Sequence, residues 1–167
     1  HYSTHGVMVE VLVNGQFGYF GTPDISKKGI EEASNKAYFQ AEAASKYALN
    51  RFTDEVRPKS VGKYSSEFEK DLRDISAKDI NIMLLDACNA LKVSEKIVSA
   101  SALVNVIESN FHFVSSNGSD VVQDFLMLEF DLSATAVDGA NQQTRTFGGM
   151  RGTCRQTGKE FLDNIEI

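Results

Sequence analysis

The chain opens with a run of apolar and β-branched residues, Val7 to Val13, which ends at Asn14-Gly15. Asn-Gly is the strongest short signal for a tight hairpin turn, because both residues accept the positive φ that such a turn needs. A second apolar segment, Gln16 to Phe20, follows directly. The pattern predicts an opening β-hairpin.

A helical spacing of small apolar residues follows the hairpin. The stripe consists of Ile30, Ala33, Ala37, Ala41, Ala44 and Ala48. Ser26 stands where an N-cap is expected, since its hydroxyl can accept a hydrogen bond from a backbone amide of the first turn. Because the stripe is small, we expect this helix to pack closely against its neighbour. Pro58 and the polar stretch from Lys59 to Ser66 end the pattern, and we interpret them as a surface connection.

A second helix is predicted to begin at Ser76, which has an acid three residues later at Asp79, the arrangement of a capping box. The apolar face of this helix is formed by Ile80, Met83, Leu84, Ala87 and Leu91. From Ile97 onward the period changes to that of strands. We expect strands at 102–107 and 111–114, a turn at 116–119, a long strand around 126–136 and a return strand at 141–147.

The long strand alternates cleanly between apolar and polar positions. Its apolar positions are Leu126, Leu128, Phe130, Leu132, Ala134 and Ala136, and its polar positions are Glu129, Asp131, Ser133 and Thr135. One face should therefore be buried and the other wetter. Tight turns join only antiparallel strands. The predicted fold is α+β: an antiparallel sheet of long hairpin-connected strands with two main helices packed on one face, in two layers.

Composition narrows the class of protein. The 167 residues are 42% hydrophobic and 24% charged, the balance of one ordinary globular domain spanning 1–167. With 17 basic and 23 acidic residues the net charge is -6, so we expect no nucleic-acid partner. No apolar stretch reaches the roughly 20 residues that cross a bilayer, and no signal peptide opens the chain, so we expect a cytoplasmic protein without a membrane partner. Cys88 and Cys154 lie too far apart for a redox or zinc motif.

Candidate catalytic residues are few. His1 and His5 have the spacing of a helical zinc pair, but Tyr2 follows His1 and the chain enters a β-branched strand at once, so we predict no metal site. His112 alternates with two phenylalanines and should be an exposed sheet residue. The chain contains no Gly-x-Ser-x-Gly elbow. We therefore predict no catalytic and no metal-binding residue.

The glycine-rich segment Gly148-Gly149-Met150-Arg151-Gly152 is the candidate for contact with a partner or substrate. Glycines let the backbone approach a ligand closely, and Arg151 could bind a carboxylate. The contact residues predicted on this basis are Gly148, Gly149, Arg151 and Gly152. The alternative is a bulge or turn, the commoner role of glycines that follow a strand.

Several segments occur in an order that is specific as a set. They are Gly6 to Phe20, Gly21 to Ser26, Val114 to Gly118, Asp138-Gly139 and Gly148 to Gly152. These segments resemble, in turn, the opening hairpin, the link into an alanine-rich helix, a serine-glycine turn, a later turn and a glycine-arginine segment. As a set they resemble the N-terminal domain of the TldD/PmbA family, the peptidases once described as modulators of DNA gyrase.

The resemblance implies a cytoplasmic zinc metallopeptidase that degrades or matures peptides, as a homodimer or as a heterodimer with a related subunit. The family's zinc motif lies C-terminal to this domain, so we expect zinc in the parent protein and no cofactor in this chain. Glu10 departs from the family, which often has arginine there, and the segment from His1 to His5 is not a family feature.

Two functions remain open at this point. In the first, the chain is the non-catalytic N-terminal domain, without its catalytic C-terminal domain, and it shapes the peptide chamber and the subunit interface. In the second, it is a free-standing protein–protein interaction module without enzymatic activity, using an exposed strand edge or the segment 148–152.

Overall fold

The computed structural model describes residues 2–149 and 153–165. By its contacts the chain divides into two units, His1–Lys59 and Ser60–Ile167. Each unit has a sheet and a main helix of its own. That the 167 residues form one domain stays a prediction.

The first unit begins with the predicted hairpin. Strands β1 (Val7–Val13) and β2 (Gln16–Thr22) pair antiparallel. They are joined by Asn14 at φ 48° and Gly15 at φ 80°, as a two-residue hairpin turn requires. A short 3-10 helix, Asp54–Val56, lies near the end of the unit.

Helix α1 (Lys27–Ser45) is capped by Ser26, whose hydroxyl accepts a hydrogen bond from the Gly29 amide at 3.1 Å. The predicted close packing is confirmed, because a Cβ on Gly18 of β2 would lie only 1.9 Å from the carbonyl oxygen of Ala37. The buried residues of α1 are Gly29, Ala33, Ala37 and Ala41, whereas Ile30, which was predicted to lie in the stripe, is exposed. Ala44 at the end of the helix is exposed.

The second unit contains the remaining elements. They are β3 (Val61–Ser65), a 3-10 helix (Leu72–Asp74), α2 (Ala77–Ala90), β4 (Ile97–Val114), β5 (Asp120–Asp138), β6 (Asn141–Phe147), β7 (Arg155–Gln156) and α3 (Glu160–Asp163). The sheet order is β3-β5-β4, and β6 and β7 also pair with β5. The α+β class is confirmed.

Three details of the predicted sheet were wrong. The two strands expected at 102–107 and 111–114 are one continuous strand, β4. The polar stretch interpreted as a connection contains β3, which pairs parallel to β5 from Val61–Asp120 to Ser65–Asp124, so the sheet is mixed. The β3 sequence Val-Gly-Lys-Tyr-Ser does not alternate between apolar and polar residues, and all five residues are exposed, so the pattern of a half-buried strand is missing. The two main helices also pack on different sheets, α1 on the hairpin and α2 beside β4.

Large apolar side chains form the core of the second unit. Leu128 and Phe130 of β5 are fully buried, and the other buried core residues are Leu72, Ala87, Leu132 and Leu162. Each fully buried leucine or phenylalanine contributes about 1.5–3 kcal/mol by leaving water. The Ser76 N-cap of α2 is confirmed, since the Ser76 hydroxyl accepts a hydrogen bond from the Asp79 amide at 3.1 Å. The Asp79 carboxylate accepts from the Ser76 hydroxyl at 2.7 Å.

Candidate functional site

Strand β5 organises the second unit because both of its edges are used. One edge pairs with β4 from Ile97–Ala136 to Val114–Asp120. The other edge is covered in three pieces: β3 beside 120–124, β7 beside 127–128 and β6 beside 132–138. In the described residues, two short breaks therefore lie between these pieces, at 125–126 and at 129–131.

Two buried hydroxyls fill these breaks. At the first, Ser66 accepts a hydrogen bond from the Leu126 amide at 3.1 Å and donates to the Gln156 side chain at 2.7 Å. At the second, the Thr153 hydroxyl accepts from the Phe130 amide at 3.3 Å and donates to the Phe130 carbonyl. Side chains thus satisfy backbone groups that no strand reaches, which buried backbone requires.

The candidate glycines lie beside the second break. Gly148 and Gly149 follow Phe147 of β6 and have φ values of 76° and 70°. A Cβ on Gly148 would lie 2.4 Å from Cγ2 of Thr153, so Gly148 is needed both for its backbone conformation and for space. Arg151 and Gly152, the other two predicted contact residues, lie outside the described residues. Contact of this segment with a partner or substrate stays a prediction.

Two carboxylates lie at the same break, on the face of β5 opposite to the core. Glu129 is only 6% exposed and accepts a hydrogen bond from the Asn105 amide group at 2.9 Å. Oδ1 of Asp131 is buried and has no hydrogen-bond partner within 2–149 and 153–165. The expectation of a wetter face was wrong at Glu129, whose carboxylate is buried and hydrogen-bonded to the Asn105 side chain of neighbouring β4.

The chemistry open to this arrangement is limited. Carboxylates on alternate strand residues can accept hydrogen bonds from amide or cationic groups. Within the part of the chain that the structure describes, no three His, Cys, Asp or Glu side chains converge on a possible metal position. The alternation in the sequence predicted that Glu129 and Asp131 share a face, but their burial depends on neighbours distant in the chain.

The other residues considered from the sequence have simple surroundings. His112 is exposed, as predicted, and its Nε2 lies 2.8 Å from a carboxylate oxygen of the exposed Asp120. His5 is exposed, while His1 lies outside the described residues. Cys88 is half-buried and Cys154 is exposed, and both are free thiols.

Glu160 at the start of α3 is a carboxylate that the sequence did not single out. It accepts hydrogen bonds from the Gly158 amide at 2.8 Å, the Thr157 hydroxyl at 2.9 Å and the Lys70 amide at 3.0 Å. Burial acts to raise the pKa of Glu160, but the hydrogen bonds outweigh it and lower the pKa to about 2. The carboxylate joins α3 to the segment before α2, which is a structural role.

Comparison with known proteins defines the class of fold. A solved structure from Bacteroides thetaiotaomicron, named as a modulator of DNA gyrase, matches 87% of this chain with a TM-score of 0.63 and 18% identity. A second structure with that name, from Thermotoga maritima, matches 85% with a TM-score of 0.57 and 20% identity. At these identities the likeness shows the fold alone.

The matches cover 34% and 31% of those two chains, so the present chain spans about a third of their length. No family model matches the sequence. No curated protein matches it either. Among the described helices, none is both long and apolar enough to cross a membrane.

Proposed function

We propose that this chain is the N-terminal, non-catalytic domain of a longer TldD/PmbA-like zinc metallopeptidase acting in peptide degradation or maturation. The observation that carries the proposal is the fold match over 87% of this chain to 34% of a protein named as a modulator of DNA gyrase. The order of the sequence segments described above supports the same family.

In this function the domain shapes the substrate chamber and the subunit interface of a homodimer or of a heterodimer with a related subunit. Its long strands β4 and β5 provide extended surfaces for walls and contacts. Peptides are the substrate, zinc is held by the rest of the parent protein, and the whole protein acts in the cytoplasm.

The first test is the intact mass of the natural protein, captured from its source cell with antibodies against this chain, together with metal analysis of the same material. The proposal expects a zinc-containing polypeptide much larger than the 18.4 kDa of this chain. A metal-free protein that ends at Ile167 would contradict it.

The second test uses the 167-residue chain alone, incubated with zinc and a mixture of unstructured peptides. We expect no cleavage, because the sequence has no histidine-glutamate zinc motif. The full-length protein is the positive control for the peptide mixture. Zinc-dependent cleavage by the isolated chain would contradict a non-catalytic role.

The free outer edge of β4 favours the second candidate, a free-standing interaction module without enzymatic activity. In the described residues β4 ends the sheet and pairs only with β5. An encoding gene that stops at Ile167 would favour this module over the peptidase domain.

A further inference from the structure

Strand β4 is an unusually long sheet edge. It runs for 18 residues, from Ile97 to Val114, and its pairing with β5 is irregular only between Ile97 and Ser99. It contains no proline and a single charged residue, Glu108. Within the described ranges no other strand pairs with its outer edge.

Soluble proteins usually protect such an edge with short strands, lysines, prolines, bulges or a covering segment. The edge of β5 that faces away from β4 is protected in this way. Strands β3, β6 and β7 cover it, and the hydroxyls of Ser66 and Thr153 fill the breaks between them. The outer edge of β4 has none of these protections over most of its length.

On the face opposite to the core, β4 carries large apolar side chains that alternate with the polar residues Ser101, Asn105 and Ser109. Four exposed large hydrophobic residues share this face: Leu103, Ile107, Phe111 and Phe113. Phe111 is 57% exposed and contacts Phe125 of β5 with ring centroids 6.0 Å apart. The edge and this face therefore offer both unpaired backbone groups and apolar side chains to one neighbour.

We propose that a second copy of this chain pairs with β4, antiparallel, about a two-fold axis at Ile107. In an isologous contact of this kind, both copies use the same strand, so β4 of each copy supplies backbone hydrogen-bond partners to β4 of the other. The register places Leu103 of each copy opposite Phe111 of the other and the two Ile107 side chains opposite each other, so apolar residues meet on the exposed face.

Charge and side-chain pattern select this register over its neighbours. Moving the axis to residue 108 would place two Glu108 carboxylates directly opposite each other, which is destabilising. Moving it to residue 106 would place Leu103 opposite Ser109 and lose the apolar contacts. With the axis at Ile107, Glu108 of each copy lies opposite Val106 of the other, so the two carboxylates do not face each other.

The paired length is sufficient for a specific but reversible dimer. With the axis at Ile107, positions 100–114 of the two strands overlap. At about 3.4 Å per residue and about 10 Å of sheet thickness, the contact covers about 500 Å² per copy, or about 1,000 Å² in total. This total lies below the roughly 1,200 Å² at which stable interfaces begin, and it is the size expected for a weak, reversible contact.

The pairing assigns a surface and a partner to the subunit interface proposed above. It is tested with the 167-residue chain alone, so its outcome does not depend on zinc or on peptidase activity. Sedimentation equilibrium over a wide concentration range should show reversible dimerisation of the wild-type chain. Ile107→Lys should raise the dissociation constant at least tenfold, since two lysines would face each other at the axis.

Val98→Lys is the matched control, because Val98 is exposed on the same strand but lies outside the overlap. It should leave the dissociation constant unchanged. A wild-type chain that stays monomeric at several hundred micromolar, or a dimer that Ile107→Lys does not weaken, would overturn the proposal.

Cross-linking checks the register without a charged substitution. In a background with Cys88 and Cys154 replaced by serine, Ile107→Cys should form a disulfide-linked dimer on mild oxidation, because opposed strand residues have Cβ atoms about 4.5–5.5 Å apart. Val98→Cys should not form one. Equal cross-linking at both positions would exclude the axis at Ile107.

Discussion

The two units of the chain bring a helix and a sheet together by opposite means. In His1–Lys59, α1 lies so close to β2 that Gly18 faces the backbone of Ala37, and small side chains fill the contact. In Ser60–Ile167, the sheet packs against the rest of the unit through large apolar side chains, with Phe130 among them. The first unit should therefore be sensitive to added atoms, and the second to lost atoms.

The largest effect is expected from Phe130→Ala, which removes a fully buried ring from the second unit. We expect a loss of about 4 kcal/mol in the free energy of unfolding, from lost burial and from the cavity left behind. Urea unfolding and faster hydrogen exchange in β5 would measure it. Phe39→Ala, at an exposed position on α1, is the control and should change stability by less than about 0.5 kcal/mol. Equal effects would remove the basis of the comparison.

Gly18→Ala tests the first unit with a single added methyl group. Its Cβ would lie 1.9 Å from the Ala37 carbonyl oxygen, so α1 must shift, at a cost of about 3 kcal/mol. Hydrogen exchange in α1 and β2 should increase. Gly21→Ala is the matched control on the same strand, because the nearest atom to its Cβ is the flexible Met8 Cε at 3.6 Å. Unchanged protection in Gly18→Ala would show that the contact can relax.

Thr153→Val keeps the shape of a buried side chain and removes only its hydroxyl. The amide and carbonyl of Phe130 lose their partner, and we expect a loss of about 2 kcal/mol. Thr146→Val, at an exposed position of neighbouring β6, is the control. If both variants unfold at the same denaturant concentration as the wild type, water replaces the hydroxyl and the break needs no side chain.

The smallest effect concerns pH and Glu160. The folded pKa is lowered from 4.5 to about 2, so the carboxylate stabilises the fold above pH 4.5, and this contribution is lost as the pH falls from 4.5 to about 2. The difference in Tm between wild type and Glu160→Gln should be largest near pH 6 and disappear near pH 2. Glu31→Gln on α1 controls for removal of a surface carboxylate. A difference that is independent of pH would contradict the role of the ionised group.

Much of the local structure was predictable from particular residues. Asn14-Gly15 predicted the hairpin turn, Ser26 and Ser76 predicted the helix starts, and the alternation in β5 predicted its buried face. These signals work because each reflects a conformation or a hydrogen bond available to a few neighbouring residues. The candidate contact segment was also predicted from local sequence, and its contact with a partner or substrate stays a prediction; Arg151 and Gly152 lie outside the described residues.

The tertiary structure decided the features that depend on distant partners. The sequence of β3, Val-Gly-Lys-Tyr-Ser, does not predict a parallel strand, because its pairing is made by the backbone of β5 nearly sixty residues away. The burial of Glu129 depends on its neighbours across the sheet, and the role of Thr153 depends on where β6 and β7 stop pairing with β5. A sequence encodes backbone preferences locally, but which polar group needs a partner is known only once the strands have assembled.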